Sequence, residues 1–406
     1  MEIRVLVVDD SALMRNLVSK IVESAPDLTV VGTAMNGSFA LDKIPRLKPD
    51  VIVLDLEMPE MNGIDFLRVR QEQKIDIPVV ILSSLAQKGA KITMDALDLG
   101  ASDFITKPSG SVSQDIHVVG DQLIAMVRGY GRTYRRHRGV AVPVPPKDYA
   151  VRTPQRPPTE IEQAGTEQTG TEQTGAGSAP STTERGEAAG RIAATPAAPV
   201  TPAGRTPRSE PGPVELIVLG ISTGGPNALR KVFAEIPGDI GVPVVVVQHM
   251  PAGFTTEFAQ SLNRVSPLEV KEASEGDLLK PGRVLIAPGN YHIEVERKKL
   301  AGIAHLHQQP ASNGHRPSAG ILFRSAAQAY GNGVMAVIMT GMGRDGAFEI
   351  GDIYEAGGMT IGQDEISSVV YGMPRVAFEL GYIHRQVHLD DMARVITETT
   401  VALRTA

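Results

Sequence analysis

Short apolar runs alternate with amphipathic stretches along the first 128 residues of this 406-residue chain. Apolar runs predict strands, and apolar residues at helical spacing predict helices. The predicted strands are residues 3–8, 28–33, 51–54, 78–82 and 103–106. The predicted helices are residues 11–23, 37–47, 63–73, 90–99 and 114–128. This regular alternation predicts an α/β fold, with a parallel sheet and helices on both of its faces.

The pattern stops near Tyr130 and resumes near Val214. The intervening stretch is rich in Pro, Thr, Gly, Glu and Gln, and a five-residue polar unit repeats between Ile161 and Gly175. Such a repeat has no apolar face to bury, so we predict a flexible linker. Four arginines at its start are interpreted as a solvated boundary rather than a partner site. They are Arg132, Arg135, Arg136 and Arg138.

From Val214 onward a second α/β unit is predicted, with a largely parallel sheet. Its predicted strands are 214–219, 242–248, 283–287, 334–339 and 360–363, with a hairpin formed by 291–295 and 301–305. Its predicted helices begin near Pro226 and cover 323–330, 348–355 and 375–380. The expected division is therefore 1–129, a linker over 130–212, and 213–406.

Composition narrows the class of protein. The net charge of −6 gives no general attraction to nucleic acid or anionic membranes. The chain has no cysteine, which excludes disulfides, zinc-thiolate sites and cysteine nucleophiles. No signal peptide or uncharged run of spanning length is present, so a cytoplasmic protein without membrane insertion is expected. Nothing in the sequence demands more than a monomer.

Polar residues stand at the carboxyl ends of the first-half strands, where parallel sheets place their ligands. Asp9 and Asp10 end the first strand and Asp55 the third. Three carboxylates at one edge would repel one another unless a cation joined them, and such oxygen ligands suit Mg²⁺. Ser83 and Lys107 end the fourth and fifth strands. A hydroxyl and an ammonium group at that edge suit the oxygens of a phosphoryl group.

In the second half, Gly220-Ile221-Ser222-Thr223-Gly224 follows a strand and precedes a helix. This is the arrangement of a nucleophile elbow, although glycines here also suit a plain tight turn or a phosphate cradle. His249 and Asp345 follow two other predicted strands. If these strands are parallel neighbours, a serine, a base and an acid meet at one edge. The Ser–His–Asp order differs from that of α/β-hydrolases.

The first half resembles a response-regulator receiver domain, through VLVVDDSALMR, DVIVLDLEMPEMNG, VVILSS and ASDFITKP. The resemblance implies a flavodoxin-like fold with a doubly wound, five-stranded parallel sheet. It implies phosphorylation of Asp55 and Mg²⁺ bound by Asp10, Asp55 and the carbonyl of Glu57, with help from Asp9. It further implies that Ser83 and Lys107 sense the phosphoryl group and that Phe104 is the switch aromatic.

The second half resembles the catalytic domain of the chemotaxis protein-glutamate methylesterases, through GISTGGPNAL, VVVVQHMPAGFT, HRPSAGILFRSAA and MTGMGRDGA. The resemblance implies a Ser222–His249–Asp345 triad, an oxyanion site at the N–H of Met342 beside Thr223, and no cofactor for ester hydrolysis. It implies demethylation of chemoreceptor glutamates, glutamine deamidation, and a chemotaxis histidine kinase as phosphodonor. The residues alone leave open a phosphorylation-controlled binding module without activity. A DNA-binding response regulator is disfavoured because no basic recognition helix follows the linker.

Overall fold

The computed structural model describes residues 2–83, 87–107, 116–140 and 210–405. The first unit has five strands in the order β2-β1-β3-β4-β5, all parallel. The strands are β1 Ile3–Val8, β2 Leu28–Ala34, β3 Val51–Asp55, β4 Val79–Ser83 and β5 Asp103–Thr106. The helices are α1 Ala12–Glu23, α2 Gly37–Leu47, α3 Gly63–Glu72, α4 Gln87–Asp98 and α5 Ile116–His137. The predicted doubly wound, five-stranded sheet is confirmed.

Helix α5 is longer than predicted, because it continues past Arg128 to His137. The predicted helix end is wrong, and the predicted solvated arginine boundary holds only in part, because Arg136 and Arg138 are exposed whereas Arg135 is buried. Arg135 is buried and donates to the carbonyl of Glu2 at 2.6 Å, and Arg136 donates to the carbonyl of Ile366 at 2.8 Å. Protein carbonyls thus accept hydrogen bonds from Arg135 in the first unit and from Arg136 in the second. The tandem repeats lie outside the described residues.

The second unit is a seven-stranded sheet in the order β14-β13-β12-β6-β7-β9-β8, with every pairing parallel. Strands β10 His292–Arg297 and β11 Gly302–His307 form the predicted antiparallel hairpin. The sheet strands are β6 Leu216–Ile221, β7 Val244–Gln248, β8 Glu269–Glu272, β9 Arg283–Ile286, β12 Val334–Ile338, β13 Met359–Gln363 and β14 Arg385–Val387.

The helices of this unit are α6 Gly225–Glu235, α7 Phe254–Val265, α8 Ala319–Tyr330, α9 Ile350–Glu355, α10 Met373–Glu379 and α11 Leu389–Thr405. Sequence analysis had not identified α7, β8, β14 or α11. Side chains of β6 alternate between two apolar cores: Ile217 and Leu219 belong to one, and Leu216 and Val218 to the other. A strand buried on both faces explains the continuous apolar run at Leu216–Ile221. None of the helices in the described ranges is long and apolar enough to cross a membrane.

Candidate active site and phosphoryl-acceptor site

Ser222 occupies the turn between β6 and α6. Its N–H donates to the carbonyl of Thr340 at 3.0 Å, and its carbonyl accepts from the N–H of Gly225 at 2.8 Å. Gly224 has φ 84°, in the left-handed region that favours glycine. At Gly225, a Cβ would lie 1.9 Å from Oε1 of Gln248. Gly224 is therefore required by the backbone, and Gly225 leaves room for the Gln248 side chain. Ser222 is half-buried at the tip of the turn.

The strands that carry the three candidate residues are neighbours. β6 pairs with β7 on one side and with β12 on the other. His249 follows β7, and Asp345 lies in the loop after β12. Chain order reverses across β6, and such switch points form ligand crevices at the carboxyl edge of a parallel sheet. Ser222 and His249 line a cavity of about 330 Å³ at this edge.

His249 and Asp345 form a hydrogen-bonded pair, with 2.8 Å between Nε2 and Oδ2. Asp345 is buried beside the N-terminus of α8, where Ala319 N–H donates to Oδ2 at 2.6 Å and Ser318 Oγ donates to Oδ1 at 2.6 Å. Burial opposes the charge of this carboxylate. The hydrogen bond and charge of His249, together with the helix-terminal donors, outweigh burial and lower the pKa of Asp345 to about 2.

An ionised Asp345 determines the tautomer of His249. A carboxylate only accepts hydrogen bonds, so Nε2 carries the proton in the neutral ring and Nδ1 carries the lone pair. Nδ1 is buried and has no hydrogen-bond partner among the described residues. It is therefore the nitrogen free to accept a proton. The nitrogens have exchanged roles relative to the serine-protease triad, in which Nδ1 faces the acid.

Three residues that sequence analysis did not assign to the site support this pair. His315 stacks on His249 with 3.8 Å between ring centroids and 9° between planes. Burial, and then the nearby His249, lower the pKa of His315 to about 4, so this ring stays neutral. Asn313 Nδ2 donates to Asp345 Oδ1 at 3.2 Å. Gln248 Nε2 donates to the carbonyls of Ser222 and His249, each at 3.1 Å.

Two backbone amides are available beside Ser222. Thr223 and Met342, on the loops after β6 and β12, each have an N–H without a hydrogen-bond partner in the described part of the chain. The second loop lies close to Ser222, since a Cβ on Gly341 would be 2.8 Å from Ser222 Cβ. Unpaired N–H groups at such a turn are suited to stabilising an oxyanion.

The acidic residues of the first unit converge as predicted. Carboxylate oxygens of Asp9, Asp10 and Asp55 all lie within 4.8 Å of one another. Lys107 Nζ lies 2.8 Å from Asp55 Oδ2 and 3.0 Å from Asp9 Oδ2. Burial, and to a lesser extent the charge of Asp9, raise the pKa of Asp55 despite Lys107. Excess negative charge among oxygen ligands is the chemistry that fits Mg²⁺.

The other predicted residues surround this cluster or face away from it. Glu57 N–H donates to Asp55 Oδ1 at 3.3 Å. Ser83 is buried, with its Oγ 2.5 Å from Thr93 Oγ1. Phe104 stacks on Phe254 of α7, with 5.0 Å between ring centroids. The predicted switch aromatic thus lies in the contact between the two units.

Comparison with known proteins agrees with this architecture. The response regulator receiver domain matches residues 5–116, and the CheB methylesterase domain matches residues 217–396. A "protein-glutamate methylesterase/protein-glutamine glutaminase" of Treponema pallidum is 51% identical, covering 97% of this chain and 96% of that protein. The chain belongs to this family. CheB-family relatives of the same name from Treponema denticola and Bacillus subtilis are 52% and 40% identical, each over 97% of this chain and 97% and 98% of their own lengths.

In this CheB-family chain the receiver contacts the nucleophile elbow directly. Asp103, at the start of β5, accepts from the N–H of Gly224 at 2.7 Å. Asn227 Nδ2 donates to the carbonyl of Ser102 at 2.7 Å. Burial raises the pKa of Asp103 to about 7, although Gly224, Phe104 and Tyr130 all donate to it. Asp103 and Phe104 line the same cavity as Ser222 and His249, so the receiver forms one wall of the site.

Proposed function

We propose that this chain hydrolyses glutamate γ-methyl esters on chemoreceptors, releasing methanol, and deamidates specific receptor glutamines. The observation that supports this most directly is the His249–Asp345 pair beside Ser222 in a CheB-family chain. In this proposal Ser222 Oγ attacks the acyl carbon and His249 Nδ1 takes its proton. The N–H groups of Thr223 and Met342 stabilise the oxyanion. Protonated His249 then donates its proton to the leaving methanol or ammonia, which leaves an acyl group on Ser222. Water attacks this acyl group with His249 again as the base, and the glutamate is released from Ser222.

We further propose that phosphorylation of Asp55 controls this activity, with a chemotaxis histidine kinase as phosphodonor. Asp10, Asp55 and the Glu57 carbonyl would hold Mg²⁺, assisted by Asp9, and the ion would neutralise the incoming phosphoryl group. Lys107, whose Nζ lies 2.8 Å from Asp55, and Ser83 would respond to it. Hydrolysis itself is proposed to need no cofactor, because a base, an acid and unpaired amides are already present at Ser222.

In the inhibited state, the receiver forms one wall of the cavity that contains Ser222. A receptor helix needs the space that β5 and Phe104 occupy, so phosphorylation has to loosen this contact before substrate enters. The tether keeps the receiver at a high local concentration, which lets a weak interface inhibit. Proposed boundaries are a receiver that ends near His137, where α5 ends, a linker to residue 212 and a catalytic domain over 213–406. A cytoplasmic monomer is sufficient for all these steps.

The test is methanol release from membranes that contain methylated chemoreceptors. Wild type, Ser222→Ala and Asp55→Asn are compared, each with and without Mg²⁺ and a small phosphodonor. We expect no release from Ser222→Ala and no donor stimulation in Asp55→Asn. Release that survives Ser222→Ala would overturn the nucleophile assignment. A receptor that carries glutamine at a modification site then tests for deamidation by ammonia release.

A further inference from the structure

The face of α6 that the receiver covers presents a row of hydrogen-bond donors. Gly224 N–H, the Asn227 amide and the Arg230 guanidinium recur every third residue, and such residues share one face of a helix. Arg264 of α7 adds a second guanidinium at the far end of the row. We refer to these four groups as the donor row. It begins two residues after Ser222 and leads away from the nucleophile.

Every receiver group on the donor row is an acceptor. Gly224 bonds the Asp103 carboxylate, and Asn227 bonds the carbonyls of Ala101 and Ser102 at 3.1 and 2.7 Å. Asp98, at the end of α4, pairs with Arg230 and accepts from Arg264 NH2 at 2.6 Å. The receiver therefore places two carboxylates, Asp98 and Asp103, along one face of the catalytic domain.

The receiver does not satisfy the whole donor row. Arg230 Nε is buried and lacks a hydrogen-bond partner among the described residues. Arg264 keeps 55% of its side chain exposed, and Asp98 keeps 31%. Two guanidinium groups thus share one carboxylate, and one of their donors is unused. A ligand with more carboxylates than the receiver would pair these cations more fully.

Resting on the proposed function, we propose that the donor row is the docking site for an acidic segment of the protein substrate. The receiver occupies this row as a mimic of that segment. The reaction chemistry supplies the reason, because every completed turnover leaves a glutamate carboxylate on the substrate. A substrate helix with several modification sites therefore carries carboxylates beside the ester still to be cleaved. Competition for the donor row then makes inhibition and substrate recognition two uses of the same surface.

The experiment measures binding of two synthetic helical peptides to the full chain by fluorescence anisotropy. Each peptide carries one free glutamate at the reacting position, flanked at helical spacing either by further glutamates or by glutamines. No hydrolysis is needed, so failure of the catalytic proposal does not obscure the result. We expect Asp98→Asn to tighten binding of the acidic peptide by freeing both guanidinium groups. In the Asp98→Asn background, where Asp98 no longer competes for these guanidinium groups, Arg230→Gln and Arg264→Gln together should weaken binding by about 5-fold or more, as for partly exposed charge pairs.

Arg394→Gln is the matched control, because Arg394 is likewise an ion-paired arginine on a helix face, but it lies on α11 and pairs with Asp391 and Glu398. It should leave binding of the acidic peptide unchanged, and the glutamine-flanked peptide should respond to none of the substitutions. If the double substitution raises unphosphorylated methylesterase activity but, in the Asp98→Asn background, leaves binding of the acidic peptide unchanged, the donor row serves only the receiver and the proposal is wrong. Arg264→Gln alone, at a half-exposed position, guards against misfolding of the double variant.

Discussion

Asp103 and Asp345 are both fully buried carboxylates that meet a helix N-terminus of the catalytic domain, yet their pKa values shift in opposite directions. Asp103 accepts from Gly224 at the start of α6, and its pKa is raised to about 7. Asp345 accepts from Ala319 at the start of α8, and its pKa is lowered to about 2. Burial and a favourable helix terminus are common to the two sites, so neither accounts for the difference.

The other hydrogen-bond and charge partners of the two carboxylates account for the difference between their pKa values. Asp345 also accepts from the Ser318 hydroxyl and the Asn313 amide, and it faces His249, which carries positive charge when protonated. Among the described residues, Asp103 has as further donors, besides Gly224, only the N–H of Phe104 at 2.9 Å and the Tyr130 hydroxyl at 3.4 Å. A carboxylate stays charged in a protein interior only when enough donors and an opposite charge compensate it. The charge of Asp345 in the His249–Asp345 pair is therefore well compensated. The charge of Asp103 in the interdomain contact is incompletely compensated, so this contact is easier to release.

The largest expected effect concerns the charge of Asp345. Asp345→Asn removes the charge that stabilises the imidazolium and permits the wrong His249 tautomer. We expect kcat for methanol release to fall by about 10⁴-fold, as in other triads with this change. Glu398→Gln, on the exposed face of α11, is the control. A loss of less than tenfold would show that His249 does not depend on Asp345.

The lowered pKa of Asp345 also predicts acid sensitivity. With a pKa of about 2 in the folded state and 3.8 as the reference value, the ionised group stabilises the fold above pH 3.8, and this contribution is lost as pH falls through about 2. It amounts to about 2 kcal/mol. Urea unfolding of the catalytic domain within the full chain should lose that much more stability between pH 6 and pH 2 in wild type than in Asp345→Asn. Equal losses of stability in the two proteins would contradict the lowered pKa of Asp345.

The third prediction concerns a substitution that weakens the interdomain contact and leaves both Asp103 and Asp345 unchanged. A Cβ on Gly129 of α5 would lie 2.1 Å from the carbonyl oxygen of Val369, whereas one on Gly120 would meet only Ile21 at 3.4 Å. Gly129→Ala should therefore push the receiver away and raise unphosphorylated activity by about 10-fold, the scale of a modest overpacking cost. Gly120→Ala, on the same helix, should not change it. Unaltered activity in Gly129→Ala would argue against inhibition by contact.

The smallest expected effect tests the charge of Asp103. Its raised pKa means that protonation favours docking, and this contribution is lost as pH rises from 3.8 toward about 7. The ratio of phosphorylated to unphosphorylated activity should therefore fall as pH rises from 5.5 to 8. Asp103→Asn should flatten this dependence to about a threefold change or less, because an amide does not titrate between pH 5.5 and 8. A pH dependence that persists in Asp103→Asn would assign it to another group.

Much of the fold was predictable because both sheets are parallel and buried on both faces, which leaves continuous apolar runs in the sequence. The receiver strands and the hairpin were identified to within a residue or two. The elements that were missed have weaker patterns: β8 is Glu-Val-Lys-Glu, and β14 has three residues. The error at α5 has a different cause, because a helix rich in arginine looks solvated until its carbonyl partners are known.

The residues of the candidate site likewise fall into a group that was predictable from the sequence and a group that was not. Ser222, His249 and Asp345 stand next to apolar strands, so their order along the chain already indicated a shared edge. His315 was not recognised, because its stacking on His249 comes from a turn that no apolar pattern marks. The roles of the three residues in catalysis stay predictions until the variants are assayed.

By itself the sequence determined which segments form strands, which residues stand at their carboxyl ends, and which family motifs the chain carries. These are local properties, set by apolar periodicity and by glycines that the backbone needs at tight turns. Only the tertiary structure decided that Nδ1 of His249 is the free nitrogen, that Asp345 is compensated while Asp103 is not, and that receiver carboxylates lie on the donor row. Those properties depend on which groups meet across strands and between domains, and the electrostatics of a buried charge are decided by such neighbours.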